Sequence, residues 1–317
     1  MTAPLRVAIV GPGRSRNGLG PFFARWFAHH GARVVAGCGR DAERTRAANA
    51  AIEADLGQPV ADHVDVRRML DVERPDAVVI ACPVGGHLDA LRAAADAGVH
   101  TLCEKPLVRE AETDAVDGLL DAFAARERVF VENCQWPETL GAFDAVWPGS
   151  LADPVRRVRM RLSPTGRGRA MVEDSLSHAL SVAQAVAPID RTTRAVDVRI
   201  ADRSAGSEHT SVTARLSGDA AEVELVLELE HVPRQPRPAS VELDGRRLDR
   251  HVDTSGGGYR IGFLDPAGNH VPIDDPLSRL VYRFALLTRE AHGDGIRDQS
   301  ERARERARLY RDVLAHW

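Results

Sequence analysis

Lysine is almost absent from this 317-residue chain. Its 42 lysines and arginines include a single lysine, Lys105, and arginine carries the positive charge everywhere else. A surplus of positive charge is missing too. With 46 acidic residues the formal net charge is -4 and the arginines are scattered, so there is no footprint for a nucleic-acid partner. No apolar run approaches the roughly 20 residues that span a bilayer. The opening MTAPLRVAIVG lacks the basic-then-apolar layout of a secretory leader, and a cytoplasmic protein is expected. The four cysteines, Cys38, Cys82, Cys103 and Cys134, lack metal-ligand spacing and lie in or beside strand-like runs. They read as reduced core thiols, and no metal site is expected. What remains is the composition of a soluble globular protein, 44% hydrophobic and 28% charged, long enough for two domains.

The first half alternates short apolar runs with amphipathic stretches. LRVAIV (5–10), RVVAGCG (33–39), DAVVIACP (76–83), HTLCEKP (100–106) and RVFVENC (128–134) read as strands. Helices are expected between them, including about 41–56, 87–97 and 110–126. Continuous apolar strands separated by helices indicate an α/β, doubly wound parallel sheet over residues 1–134. Residues 135–317 read differently. VRRVRMRLS (155–163) and AEVELVLELEHV (221–232) alternate strictly, the mark of a sheet with one buried and one open face. An α+β domain with a largely antiparallel, open-faced sheet is expected there. Further strands fall near 195–201, 210–216, 239–244 and 259–264, and closing helices near 276–292 and 298–315.

In a doubly wound sheet, ligands bind beyond the carboxyl ends of the strands. Gly11, Pro12 and Gly13 follow the first strand directly, and Arg14, Ser15 and Arg16 continue the turn. Glycines in this place permit a tight turn and close approach of a pyrophosphate to a helix N-terminus. The third glycine of the usual pattern is replaced by Arg16. At the end of the second strand, where NAD sites usually carry an acid for the ribose 2′-hydroxyl, stand Gly39 and Arg40. Loss of the carboxylate and gain of a guanidinium favour a 2′-phosphate, so NADP is expected over NAD.

ACPVGGH followed by EKP resembles the Gfo/Idh/MocA oxidoreductases, named for glucose–fructose oxidoreductase, inositol dehydrogenase and a rhizopine-catabolism protein. The resemblance covers roughly residues 5–135. It implies that Lys105 lies beside the nicotinamide and takes part in catalysis, its bond to Pro106 often being cis. It further implies that Glu104 and Pro106 shape that pocket, and that Cys82, Pro83 and His87 belong to the cofactor cleft. Chemistry gives a separate reason for an amine at Lys105, because lysine can relay a proton and arginine stays charged.

The same resemblance implies a second-domain helix bearing Asp and His four residues apart, here Asp174 and His178 in MVEDSLSHALSVAQAV. That spacing puts both on one helical face, where histidine can accept the proton of an alcohol. Leu176 stands where a small glycine is frequent and is expected to reshape the pocket. Gln135, Trp136, Arg167 and His178 are the candidate substrate contacts. The leading expectation is an NADP-dependent dehydrogenase or reductase acting on a sugar, cyclitol or related polyhydroxylated molecule. The alternatives are a redox-neutral lyase or hydrolase that keeps its dinucleotide bound, and a non-catalytic dinucleotide-binding protein. A homodimer or homotetramer formed through the second sheet is expected, with neither nucleic acid nor membrane as partner.

Overall fold

The alternation of the first half becomes a six-stranded sheet in the computed structural model, which describes residues 3–13, 18–254, 260–290 and 294–317. Its elements are β1 (Arg6–Val10), α1 (Gly20–His29), β2 (Arg33–Cys38), α2 (Ala42–Leu56), β3 (Ala61–His63), α3 (Val66–Glu73), β4 (Ala77–Ile80), α4 (His87–Ala97), β5 (His100–Glu104), α5 (Val116–Ala125) and β6 (Phe130–Asn133). Every pairing is parallel, and the order is β3-β2-β1-β4-β5-β6. The central strands carry the burial that two covered faces demand: Val7, Ala8, Ile9 and the whole of β4 have no exposed surface. Capping sets the helix limits. Asp41 and Asp65 accept the Arg44 and Arg68 amides at 2.8 Å to open α2 and α3. Gly57 and Gly98, at φ of 66° and 63°, close α2 and α4 in the left-handed conformation.

The second half supplies α6 (Gly141–Val146), β7 (Arg157–Leu162), α7 (Arg169–Val186), β8 (Arg194–Ala201), β9 (His209–Ser217), β10 (Glu222–Glu230), β11 (Ser240–Leu243), β12 (Arg246–Asp253), β13 (Arg260–Leu264), β14 (His270–Pro272), α8 (Pro276–Arg289) and α9 (Asp294–Leu314). Its strands form one eight-stranded sheet of order β14-β13-β12-β11-β7-β10-β9-β8, antiparallel except for the parallel pair β7 and β10. The arginine strand and the glutamate strand are therefore neighbours. Arg157 meets Glu224 at 3.3 Å, Arg159 meets Glu228 at 2.9 Å, and Arg161 pairs with Glu230. The opposite face, with Val223, Leu225, Leu227 and Leu229, is buried beneath α7 residues such as Leu176 and Leu180.

The chain divides into two compact units, Met1–Asn133 with Leu277–Arg304, and Cys134–Pro276 with Glu305–Trp317. Residues 135–317 are thus not a single block, because most of α8 and the first part of α9 belong with the first unit. The cause is apolar. Leu277, Leu280, Val281, Phe284 and Ala285 join Val7, Ile9, Phe27 and Val79 in one buried cluster. Arg304 adds ion pairs to Asp117 at 2.9 Å and Asp121 at 2.7 Å on α5. No helix among the described residues is long and apolar enough to cross a membrane.

Candidate functional site

The strand order reverses between β1 and β4, so the carboxyl ends of these strands open the crevice in which such sheets bind ligands. Gly11 turns the chain out of β1 at φ 85°, its amide donating to the Cys38 carbonyl at 2.8 Å. A Cβ at Gly11 would stand 2.7 Å from the Cys82 nitrogen, and one at Gly20 would stand 2.4 Å from the Gly11 carbonyl oxygen. Those two glycines let α1 begin tightly against the turn. Gly13 is different: its Cβ would meet only the Ala48 methyl, at an ordinary 3.6 Å. The chain's own packing does not require glycine there, which fits a backbone kept open for a ligand's pyrophosphate. The start of α1 fits as well, with no capping side chain and no acid in its first turn. Arg14, Ser15 and Arg16, expected beside the phosphates, lie outside the described residues.

At the end of β2, Gly39 is half-buried and Arg40 is exposed. The nearest acid in sequence, Asp41, is committed to capping α2 through the Arg44 amide. Burial pushes the Cys82 thiol up to about 11, against the opposing pull of its own backbone hydrogen bond and of the Arg40 charge. The Arg40 guanidinium therefore acts toward the β4 end of the crevice. Cys38 is likewise pushed up to about 11 by burial, with Asp65 adding to it, so both thiols stay protonated near neutral pH.

Lys105 follows β5, half-buried, and its bond to Pro106 is cis. The ends of β5 and β6 are tied together where Asn133 Nδ2 donates to Glu104 Oε1. Behind Lys105 two buried polar side chains hold the backbone. Glu132, 5% exposed, accepts the Leu107 amide at 3.1 Å. His87, 1% exposed, reaches the carbonyls of Cys82, Pro106 and Leu107. His87 was expected to line the cleft; the structure turns it inward instead, because three backbone carbonyls surround its ring. Burial lowers its pKa, with the three carbonyls and Glu132 opposing that shift. Glu132 was not singled out from sequence. The signal was an acid in the otherwise apolar run VFV, a position that needs a buried partner.

In the second unit, α7 buries most of its circumference and leaves one open stripe that includes Ala170, Glu173, Asp174 and His178. Asp174 is exposed and His178 half-buried, on the face that the four-residue spacing implies. Leu176 points the other way and is wholly buried in the core, so its bulk fills the interior and leaves that stripe unchanged. Trp136 also departs from expectation. At 7% exposed it packs 6.4 Å from Phe263, with the Arg250 guanidinium 5.9 Å above its ring, as a core residue. Gln135 remains half-buried, and Arg167 is engaged by Glu208 at 2.5 Å. No group of three or more His, Cys, Asp or Glu able to hold a metal ion occurs among the described residues.

Residues 5–134 match the model of the oxidoreductase family with an NAD-binding Rossmann fold, Gfo/Idh/MocA. Over 74 residues the chain is 43% identical to D-xylose 1-dehydrogenase (NADP(+)) 2 of Haloferax volcanii, a stretch covering 23% of this chain and 22% of that relative. Two solved structures share the fold over nearly the full length. UDP-N-acetylglucosamine 3-dehydrogenase GnnA from Acidithiobacillus ferrooxidans is 19% identical, with a TM-score of 0.68 and coverage of 99% of this chain and 97% of that one. A mutant of KijD10, a 3-ketoreductase from Actinomadura kijaniata in complex with TDP-benzene and NADP, is 17% identical, with a TM-score of 0.70 and coverage of 98% and 97%. With its parallel sheet, glycine turn and Glu-Lys-Pro strand end, the N-terminal part of this chain matches the Gfo/Idh/MocA oxidoreductase family over residues 5–134.

Proposed function

We propose that this chain is an NADP-dependent dehydrogenase or reductase that transfers hydride between the nicotinamide and a carbinol or carbonyl carbon of a sugar, cyclitol or related polyhydroxylated molecule. The observation that carries the reading is Lys105, an amine at the carboxyl end of β5 in a crevice whose first turn fits a pyrophosphate. NADP is favoured over NAD by Gly39 and Arg40, and by the engagement of Asp41 in capping α2. The sugar class is supported by the named activities of D-xylose 1-dehydrogenase and UDP-N-acetylglucosamine 3-dehydrogenase.

The turn Gly11–Gly13 and the start of α1 would hold the pyrophosphate, with Arg40 at the 2′-phosphate and Pro83 and Glu104 along the cleft. When bound, the nicotinamide supplies the hydride carrier. His178 takes the hydroxyl proton of an alcohol being oxidised, or returns it to a carbonyl being reduced. Asp174, one helical turn earlier, holds that imidazole, and Lys105, at the end of β5, assists beside the nicotinamide. Gln135 orients the substrate. Four free cysteines, three of them buried, are in keeping with a reducing cytoplasm. Association into a dimer or tetramer through the open face of the second sheet is part of the same proposal.

The test is a titration of wild type, Arg40→Ala and Lys105→Ala with NADPH and NADH, followed by nicotinamide fluorescence. Wild type is expected to bind NADPH more tightly. Arg40→Ala should lose about tenfold or more toward NADPH alone, the value of a charge-assisted hydrogen bond. Lys105→Ala should keep binding and lose turnover on sugar substrates. If wild type binds neither cofactor, the reading is wrong.

A further inference from the structure

His87 opens α4 and is almost wholly buried. Its Nε2 lies 2.8 Å from the Cys82 carbonyl oxygen, in the turn that follows β4. Its Nδ1 lies 3.1 Å and 3.2 Å from the carbonyl oxygens of Pro106 and Leu107, the two residues after Lys105. The same segment is held from its amide side, where Leu107 donates to Glu132. An imidazole with one proton donates at one nitrogen and presents a lone pair at the other. Here both nitrogens face carbonyl lone pairs, so the surroundings call for two N–H groups.

We propose that His87 is a positioning residue for Lys105: a buried bridge from the β4 turn to the Lys105 segment, complete only when its ring carries both protons, with Glu132 as the counter-charge. The inference deepens the reading of Lys105 given above and rests on it. Glu132 of β6 is the charged group that acts on the ring. Cys82, whose carbonyl the ring meets, carries a neutral thiol. Burial disfavours the imidazolium more strongly than the carbonyls and Glu132 favour it, so the ring titrates below its ordinary value. The complete bridge then belongs to the acid side of a midpoint below about 6.5, and rising pH releases one end of it. Lys105 would be held more firmly in acid and less firmly above neutrality.

The single lysine makes this observable. Reductive methylation with 13C-formaldehyde labels Lys105 and the chain's α-amino group, which separate by their own titrations. The full-length chain, without cofactor, is followed by 13C NMR from about pH 5 to about pH 9. The expected result is a step in the Lys105 methyl resonance below about pH 6.5, absent from His87→Gln and moved to lower pH in Glu132→Gln. In 15N-histidine-labelled protein, both His87 ring nitrogens should be protonated below that step and one of them above it. A Lys105 resonance with no step, or with an unchanged step in His87→Gln, overturns the proposal. Should His87→Gln fail to fold, the Glu132→Gln midpoint decides, and a midpoint that stays where it was also overturns it. None of these signals needs cofactor or turnover, so they are independent of whether the chain binds NADPH.

Discussion

At the end of β2, the proposed preference for NADP turns on the space beside one glycine. A Cβ on Gly39 would stand 2.4 Å from Thr45 Oγ1, a hydroxyl fixed by its 2.6 Å bond to the Asp41 carbonyl. The acid that marks NAD sites is therefore excluded by α2 itself as well as absent from the sequence. Gly39→Asp should destabilise the chain by about 1–3 kcal/mol through overpacking. Adding Thr45→Ala should recover most of that loss and move preference from NADPH toward NADH. Chemical denaturation of the two single variants and the double variant, with both cofactors titrated, checks this. Simple additivity of the two changes would contradict the contact. The glycine and the arginine could be read from sequence, whereas Thr45 could not, because its reach back over β2 depends on the start of α2. His87, Trp136 and Leu176 were misjudged for a related reason. Residue type and motif placed them near a site, but burial turned each toward the interior.

Among the elements, β10 shows how much a period-two pattern can disclose. Its alternation correctly separated a charged face from an apolar one, yet the strand's partner and direction come from the fold alone. The parallel register sets Arg157 opposite Glu224, while Arg159 and Arg161 reach diagonally to Glu228 and Glu230. The side chains of Arg159 and Glu228 are 40% and 42% exposed, so water screens the pair. Arg159→Ala should cost no more than about 1 kcal/mol. Leu227→Ala, on the buried face of the same strand, should cost about 2–5 kcal/mol. Urea unfolding of the two variants separates the faces, and comparable losses would mean that the charged ladder carries structural weight denied to it here. The strands β12 and β14 escaped the sequence reading. β12 has only Leu248 fully buried, and β14 is three residues long, so neither offers a clear alternation. The helix expected over 110–126 begins as a 3-10 turn, Glu110–Ala115, before α5 starts.

Across the whole molecule, a closing helix near 276–292 was legible in the sequence, but not which core it completes. The answer lies far back in the sequence. Phe284 is fully buried and meets Phe27 of α1 edge-on, with ring centroids 6.0 Å apart, and Ser278 Oγ lies 3.0 Å from His30 Nε2. A chain cut after residue 134 would keep all six strands of the dinucleotide-binding sheet and lose the face that covers α1. Such a fragment should unfold without a cooperative transition. Joining 277–304 to it through a flexible linker should restore a sharp melt and, with it, nicotinamide binding. In the intact chain, Phe284→Ala should cost about 3–5 kcal/mol, the range for truncating a buried aromatic ring. Thermal melts monitored by near-ultraviolet circular dichroism separate these outcomes. A cooperative melt of 1–134 alone would show that α8 rests on the first unit without completing it, and Phe284→Ala would then have little effect.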